Sequence, residues 1–297
     1  MKRIAIVWGA VVVLLLGGCS QQSTTSNAPA VQPTEKDTTA TQPAESSPLA
    51  VGHIHAMGIN PADATLYAGT HYGVYRFPAD NPPERVGEVV QDFMGFAVIG
   101  PDHFLGSGHP GAHDRGQPSS LGLIESTDGA RSWKPVSLSG RADFHALVYR
   151  HDRVYGQDSH SGKIMISDDM RTWESKAQLA VIGLAISPHD PTDILATTDR
   201  GLQRSRDDGQ TFSAVDAAPP LVLVSWPDHG PLVGVDATGT VYTSDDPAAN
   251  WQTGQQLESR PQALITDSDG VVFVATEHAI YRSNDHGATF TQYRELK

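Results

Sequence analysis

Cysteine is almost missing from this chain: its 297 residues contain one, Cys19. A disulfide framework, a thiolate zinc site and a cysteine nucleophile are therefore excluded from everything downstream of that position. Positive charge is also scarce, with 21 Lys and Arg against 34 Asp and Glu, a net charge of −13. Phosphate recognition depends on clustered Lys and Arg. No basic run occurs beyond Lys2 and Arg3, so nucleic acid is not expected as a partner. Three catalytic signatures are absent as well: a glycine-rich phosphate loop, a Gly-x-Ser-x-Gly elbow and a His-Glu-x-x-His zinc-protease helix. Residues 20–50 have almost no large apolar side chains and are rich in Ser, Thr, Gln, Pro and Ala. Such a segment cannot bury enough surface to fold.

Composition divides what is present into three zones. A basic start is followed by an apolar run, Ile4 to Leu16, and then by Gly17-Gly18-Cys19. The run is too short for a spanning helix, which needs about 20 residues, and fits a secretory signal. Leu15-Leu16-Gly17-Gly18-Cys19 resembles a bacterial lipobox. That resemblance implies cleavage before Cys19 and acylation there, with several acyl chains giving stable anchoring. Ser20 follows the cysteine rather than Asp, which in a Gram-negative host implies the outer membrane. The expected organisation is a signal peptide over 1–18, a lipidated linker over 19–50 and one folded domain over 51–297. As a coil, the linker would hold the domain roughly 30 Å from the membrane.

The third zone repeats itself. Ser126-Thr-Asp128-Gly-Ala-Arg-Ser132-Trp133 is followed by related segments beginning at Ser167, Ser205, Ser244 and Ser283, spaced by 41, 38, 39 and 39 residues. A period near 40 is the signature of propeller blades. The segments resemble the Asp-box (BNR repeat), Ser-x-Asp-x-Gly-x-Thr-Trp, of sialidase-like propellers. Those at 205 and 283 match fully. Those at 126 and 244 carry Ala at the Gly position, and the one at 167 is a residue short. The resemblance implies a hairpin turn between the third and fourth strands of each blade, with Asp128, Asp169, Asp207, Asp246 and Asp285 accepting backbone hydrogen bonds. A sixth unit without its box lies upstream, where Leu66–Arg76 aligns with Ile194–Arg204. Six inner strands follow, at 55–59, 94–98, 145–149, 182–186, 222–226 and 262–266. The expected fold is all-β, a six-bladed propeller.

Propellers present two faces. The starts of the inner strands and the loops between second and third strands share one of them, and eight of the thirteen histidines map there: His53, His55, His71, His109, His113, His145, His160 and His278. Asp92 and Asp143 align with His53, and Met94 with His55. The loop 106–118 carries both His109 and His113, and its length and Gly/Pro content mark it as functional. Imidazoles at i and i+2 of one strand point the same way. His53, His55, His109, His113 and His145 are thus the candidate ligands of a transition metal, copper or zinc. The bland alternative is a set of polar loop residues bound to water.

The family resemblance covers residues 51–297 and suggests bacterial exported Asp-box proteins labelled glycosyl hydrolase or sialidase-like. A neutral-sugar glycosidase needs two carboxylates about 5–10 Å apart, for which Asp92 and Asp143 are the candidates. Sialidases add an arginine triad and an Arg-Ile-Pro segment. The segment is absent and few arginines map to this face, so sialidase activity is not expected. The preferred expectation is a monomeric binding propeller at the cell envelope, with a glycan, metal or envelope protein as ligand. The alternatives are a glycoside hydrolase and an assembly factor for a protein partner.

Overall fold

A computed structural model describes residues 51–296 apart from Val89, His113 and Arg115. Cys19, the signal segment and the linker lie outside the described residues, as does the candidate ligand His113. The described chain contains no helix and forms six four-stranded antiparallel sheets, each with its strands in chain order. These are the blades of a six-bladed β-propeller, spanning 54–86, 92–137, 144–178, 183–214, 221–256 and 261–295. Their inner strands are Ile54–Asn60, Asp92–Gly100, Phe144–Arg150, Gly183–Ile186, Leu221–Ser225 and Pro261–Thr266.

The core is divided into seams. Each of six apolar clusters joins two neighbouring blades, and together they run around the ring. Second strands lie between two neighbours, which is why Ile194–Thr198, Leu232–Asp236 and Val272–Thr276 are buried at every position. Close approach at a seam requires small residues there. A Cβ on Gly69 of blade one would lie 2.8 Å from the Phe96 side chain of blade two, so the aromatic can pack at this seam only against glycine. Inside the ring of inner strands is a cavity of about 1060 Å³, with His55 and His145 among its lining residues.

The ring closes without exchanging a strand, because the first and last blades are each built from contiguous chain. Packing supplies the closure instead: Ile54, Leu66, Tyr75 and Phe77 of blade one meet Phe273, Ala275 and Ile280 of blade six. Hydrogen bonds reinforce it. The Gln262 side chain accepts from the Ile54 amide at 3.0 Å, and Tyr293 Oη donates to the Phe77 carbonyl at 2.9 Å. Tyr293→Phe is expected to destabilise the chain by about 1 kcal/mol through that single bond. The check is a shift of the urea midpoint at unchanged slope.

The five Ser-x-Asp segments form the outer turns. In blade four, Ser205 Oγ donates to Asp207 Oδ1 at 2.7 Å and accepts from the Gly209 amide at 2.9 Å. Asp207 in turn accepts from the Thr211 amide and hydroxyl at 2.9 and 2.7 Å. The turns at 126 and 283 repeat this pattern. Ala130 adopts φ +72° where the others have Gly, a conformation Gly takes more easily. The turn at 244 differs: Ser244 Oγ donates to the carbonyls of Asp246 and Ala249, both at 2.6 Å. Pro247, which has no N–H, stands inside this turn.

These bonds hold the turn carboxylates ionised. The Thr172 and Arg171 amides hold Asp169 down at about 2, the Thr211 hydroxyl and amide do so for Asp207, and Ser283 and Thr289 for Asp285. A folded value below the ordinary 3.8 means the unfolded chain binds more protons on acidification. This contribution to stability is complete above about pH 4 and is lost as the pH falls towards 2. Melting temperatures at constant ionic strength are expected to fall between pH 4 and 2. Asp207→Asn should melt lower than the parent at pH 6 and lose less over that interval.

Candidate functional site

The mouth of the channel is shaped by bulges. Register shifts interrupt the inner strands between Ile54 and Ala56, Phe93 and Gly95, Leu221 and Leu223, and Pro261 and Ala263. In blade three the partner strand steps from Ala146 to Phe144, skipping His145. His55, Met94, His145, Val222 and Gln262 are therefore equivalent extra residues, each at the same end of its blade. A bulge bends its strand and re-aims a side chain, a device common at barrel rims and active sites. Here it turns His55 and His145 towards the channel.

This geometry changes the reason for the His53–His55 pairing. His53 precedes the strand, which begins at Ile54, and the bulge at His55 interrupts the two-residue alternation that predicts parallel side chains. The rings still meet, edge to face, with centroids 4.6 Å apart. His71, from the turn between the second and third strands of blade one, completes the group at 4.5 Å from His55 and 5.7 Å from His53. Its position on this face is readable from the repeat alignment. Its meeting with His55 is not, because no local pattern relates a turn to a bulge 16 residues earlier.

Blade two adds Asp92. His71 Nδ1 donates to Asp92 Oδ1 at 2.8 Å and lies 3.3 Å from His55 Nε2, while His55 Nε2 and Asp92 Oδ1 are 4.0 Å apart. His71 Nδ1 thus lies within reach of both groups. Donors about 2.0–2.1 Å from a common ion are about 3.3 Å apart in a regular tetrahedron. In a square plane the cis edges are about 2.9 Å and the trans edge about 4.1 Å. Two shorter edges and one of 4.0 Å resemble three corners of a square plane. His55 is pushed down to about 4, first by burial and then by its neighbours His53 and His71. At neutral pH it is an uncharged imidazole, the form that ligates metal.

A second group lies beside the first. Asp143, 3% exposed, accepts through Oδ2 from His145 Nε2 and Ser159 Oγ, both at 2.8 Å. His109 Nε2 lies 3.6 Å from the same oxygen. Burial raises Asp143, but the bonds from His145 and Ser159 outweigh it and leave its carboxyl below the usual range. The Asp143 bond raises His145 in return. Of the sequence candidates, His53, His55, His109 and His145 thus gather at one mouth, joined by His71. Asp92 and Asp143, first considered as a carboxylate pair, each sit in a separate histidine group.

No family model matches the chain. A xyloglucanase from Hypocrea jecorina (strain QM6a) is 30% identical over 135 residues, which is 42% of this chain and 16% of the enzyme. The GH74 xyloglucanase from Xanthomonas campestris matches in structure at a TM-score of 0.52 and 18% identity, over 82% of this chain and 45% of its own. An ancestral GH74 enzyme matches at 0.52 and 15% identity, over 83% and 39%. PorZ, a surface component of the type-IX secretion system of Porphyromonas gingivalis, matches at 0.54 and 15% identity, over 82% and 33%. The chain spans less than half the length of each. At these identities the structural likeness shows the propeller fold alone.

Proposed function

We propose that this chain is a binding propeller of the cell envelope, tethered through an acylated Cys19, that holds a transition-metal ion at its mouth. The observation that carries the reading is the convergence of His55 Nε2, His71 Nδ1 and Asp92 Oδ1, with separations of 2.8, 3.3 and 4.0 Å. His53 packs its ring beside both histidines, outside the three-donor group. Copper(II) is the preferred ion because imidazole and carboxylate donors in a tetragonal array suit it. Zinc, which accepts the same donors, is the competitor. The recurrent Ser-x-Asp turns support reading the domain as an Asp-box propeller, and that resemblance supports export.

Metal-free chain dialysed against micromolar Cu(II) or Zn(II) and then desalted is expected to retain metal. His55→Ala together with His71→Ala should abolish retention at this group with the fold intact by circular dichroism. A parent chain that retains no ion would sink the reading. Anchoring is checked separately, by labelled palmitate incorporation that is lost in Cys19→Ala.

The likeness to GH74 xyloglucanases supports a second reading, glycan hydrolysis. A glycosidase acid must stay protonated near neutral pH, and Asp143 is held in the opposite direction by His145 and Ser159. Turnover of xyloglucan that disappears in Asp92→Asn would favour the enzyme over the metal-binding propeller.

A further inference from the structure

We infer that His109, Asp143 and His145 bind a metal ion of their own in an open site at the mouth, separate from the His55 group. This rests on the proposed metal-binding reading but not on the His55 group itself. Blade two supplies the geometric reason for two centres. Asp92 and His109 are paired across its first two strands, yet they turn to opposite neighbours. Asp92 meets His71 of blade one, whereas His109 faces Asp143 of blade three. One cross-strand pair thus contributes one donor to each group.

The second group has the features of a built cation site. His109 Nδ1 lies 2.8 Å from the Ser119 carbonyl, which can only accept, so Nδ1 carries the proton. In the neutral ring Nε2 is then the lone-pair nitrogen. It faces the Asp143 carboxylate at 3.6 Å, too far for a hydrogen bond. The 3.6 Å separation is that of two donors sharing one ion, with a cation between them. A backbone carbonyl that fixes the opposite ring nitrogen is also the arrangement that orients metal-ligating histidines.

Asp143 adds an independent observation. Its Oδ1 is buried and has no hydrogen-bond partner among the described residues, while Oδ2 is shared by His145 and Ser159. A buried carboxylate with an unsatisfied oxygen is costly, and a bound cation would compensate it. Phe144, between Asp143 and His145, is fully buried, and its amide is tied to Ser107 Oγ at 2.9 Å. The two ligands are therefore mounted on a fixed strand. Two imidazoles and one carboxylate leave coordination positions for water or an oxygen ligand, as exchangeable metal sites do. His109 and His145 are about 40% exposed in their side chains, so such a ligand can reach the ion.

The test counts ions per chain by metal analysis after equilibrium dialysis against Cu(II), and again against Zn(II). It uses the purified chain, His71→Gln, His109→Gln and the double variant, with folding checked by circular dichroism. Both residues are exposed enough to be exchanged without opening the core. Two ions are expected for the parent, one for each single variant and none for the double variant. The electron paramagnetic resonance signal of the Cu(II)-loaded parent should resolve into one component in each single variant. Azide should shift the component that survives in His71→Gln. One ion in the parent, lost in both single variants, would mean a single shared site and overturn the inference while leaving the metal reading standing. One ion lost only in His71→Gln would also overturn it. One ion lost only in His109→Gln would support the second site and remove the His55 group. No ion in the parent would overturn both.

Discussion

Each Cu(II) ion bound at saturation is expected to raise the unfolding temperature of this chain by roughly 8–16 °C. An ion that binds only the folded state stabilises it by about 4 kcal/mol at a free concentration of 1,000 times its dissociation constant. For a domain of this size, each kcal/mol moves the midpoint by about 2–4 °C. The unfolded chain competes weakly, since it has no thiolate beyond Cys19 and its histidines are scattered. His55→Ala with His71→Ala should remove the share due to the ion at this group and leave the share of an ion held by His109, Asp143 and His145. The same substitutions should leave the metal-free melt nearly unchanged, because His71 is exposed and His55 lies at the channel rim. Differential scanning calorimetry with and without Cu(II) and a chelator checks this. If the shift is equal in parent and variant, the stabilising ion binds elsewhere.

Phe144→Ala is expected to destabilise the fold by about 3–5 kcal/mol, the range for an aromatic deleted from a packed interior. Phe144 is 0% exposed. Its ring stacks on Trp173 at 4.7 Å and covers Gly156 in the same blade. Its cluster forms the seam between blades two and three, and its neighbours in sequence are two of the second group's three donors. The predicted consequence is therefore double: a lower urea midpoint and weaker metal binding at the His109 group, with the His55 group little affected. Phe144→Leu, which keeps most of the volume, should restore much of both. A variant that loses stability yet binds both ions as tightly as the parent would show that the seam does not position the donors.

Much of the fold was legible in the sequence because its determinants are local. A Ser-x-Asp turn makes its hydrogen bonds within about five residues, so it leaves the same residue pattern wherever it recurs. The alignment of Leu66–Arg76 with Ile194–Arg204 found the blade that lacks this turn, and all six inner strands begin within one or two residues of their expected positions. The site was legible only in part. Sorting histidines by blade position placed His53, His55, His71, His109 and His145 on one face, but the i, i+2 rule gave the wrong reason for the first pair. The bulges at His55 and His145 arise from register against the second strand, a relation between segments that the repeat alone does not encode.

The chain's own order of residues determined the number of blades, the turn chemistry and the face on which histidines accumulate, because each depends on contacts a few residues apart. The tertiary structure decided which side chains meet. Closure of the ring brings Tyr293 to Phe77, the bulges aim His55 and His145, and blade two sends Asp92 to one neighbour and His109 to the other. These depend on the packing of whole blades against one another, where separations along the chain exceed the reach of any local pattern.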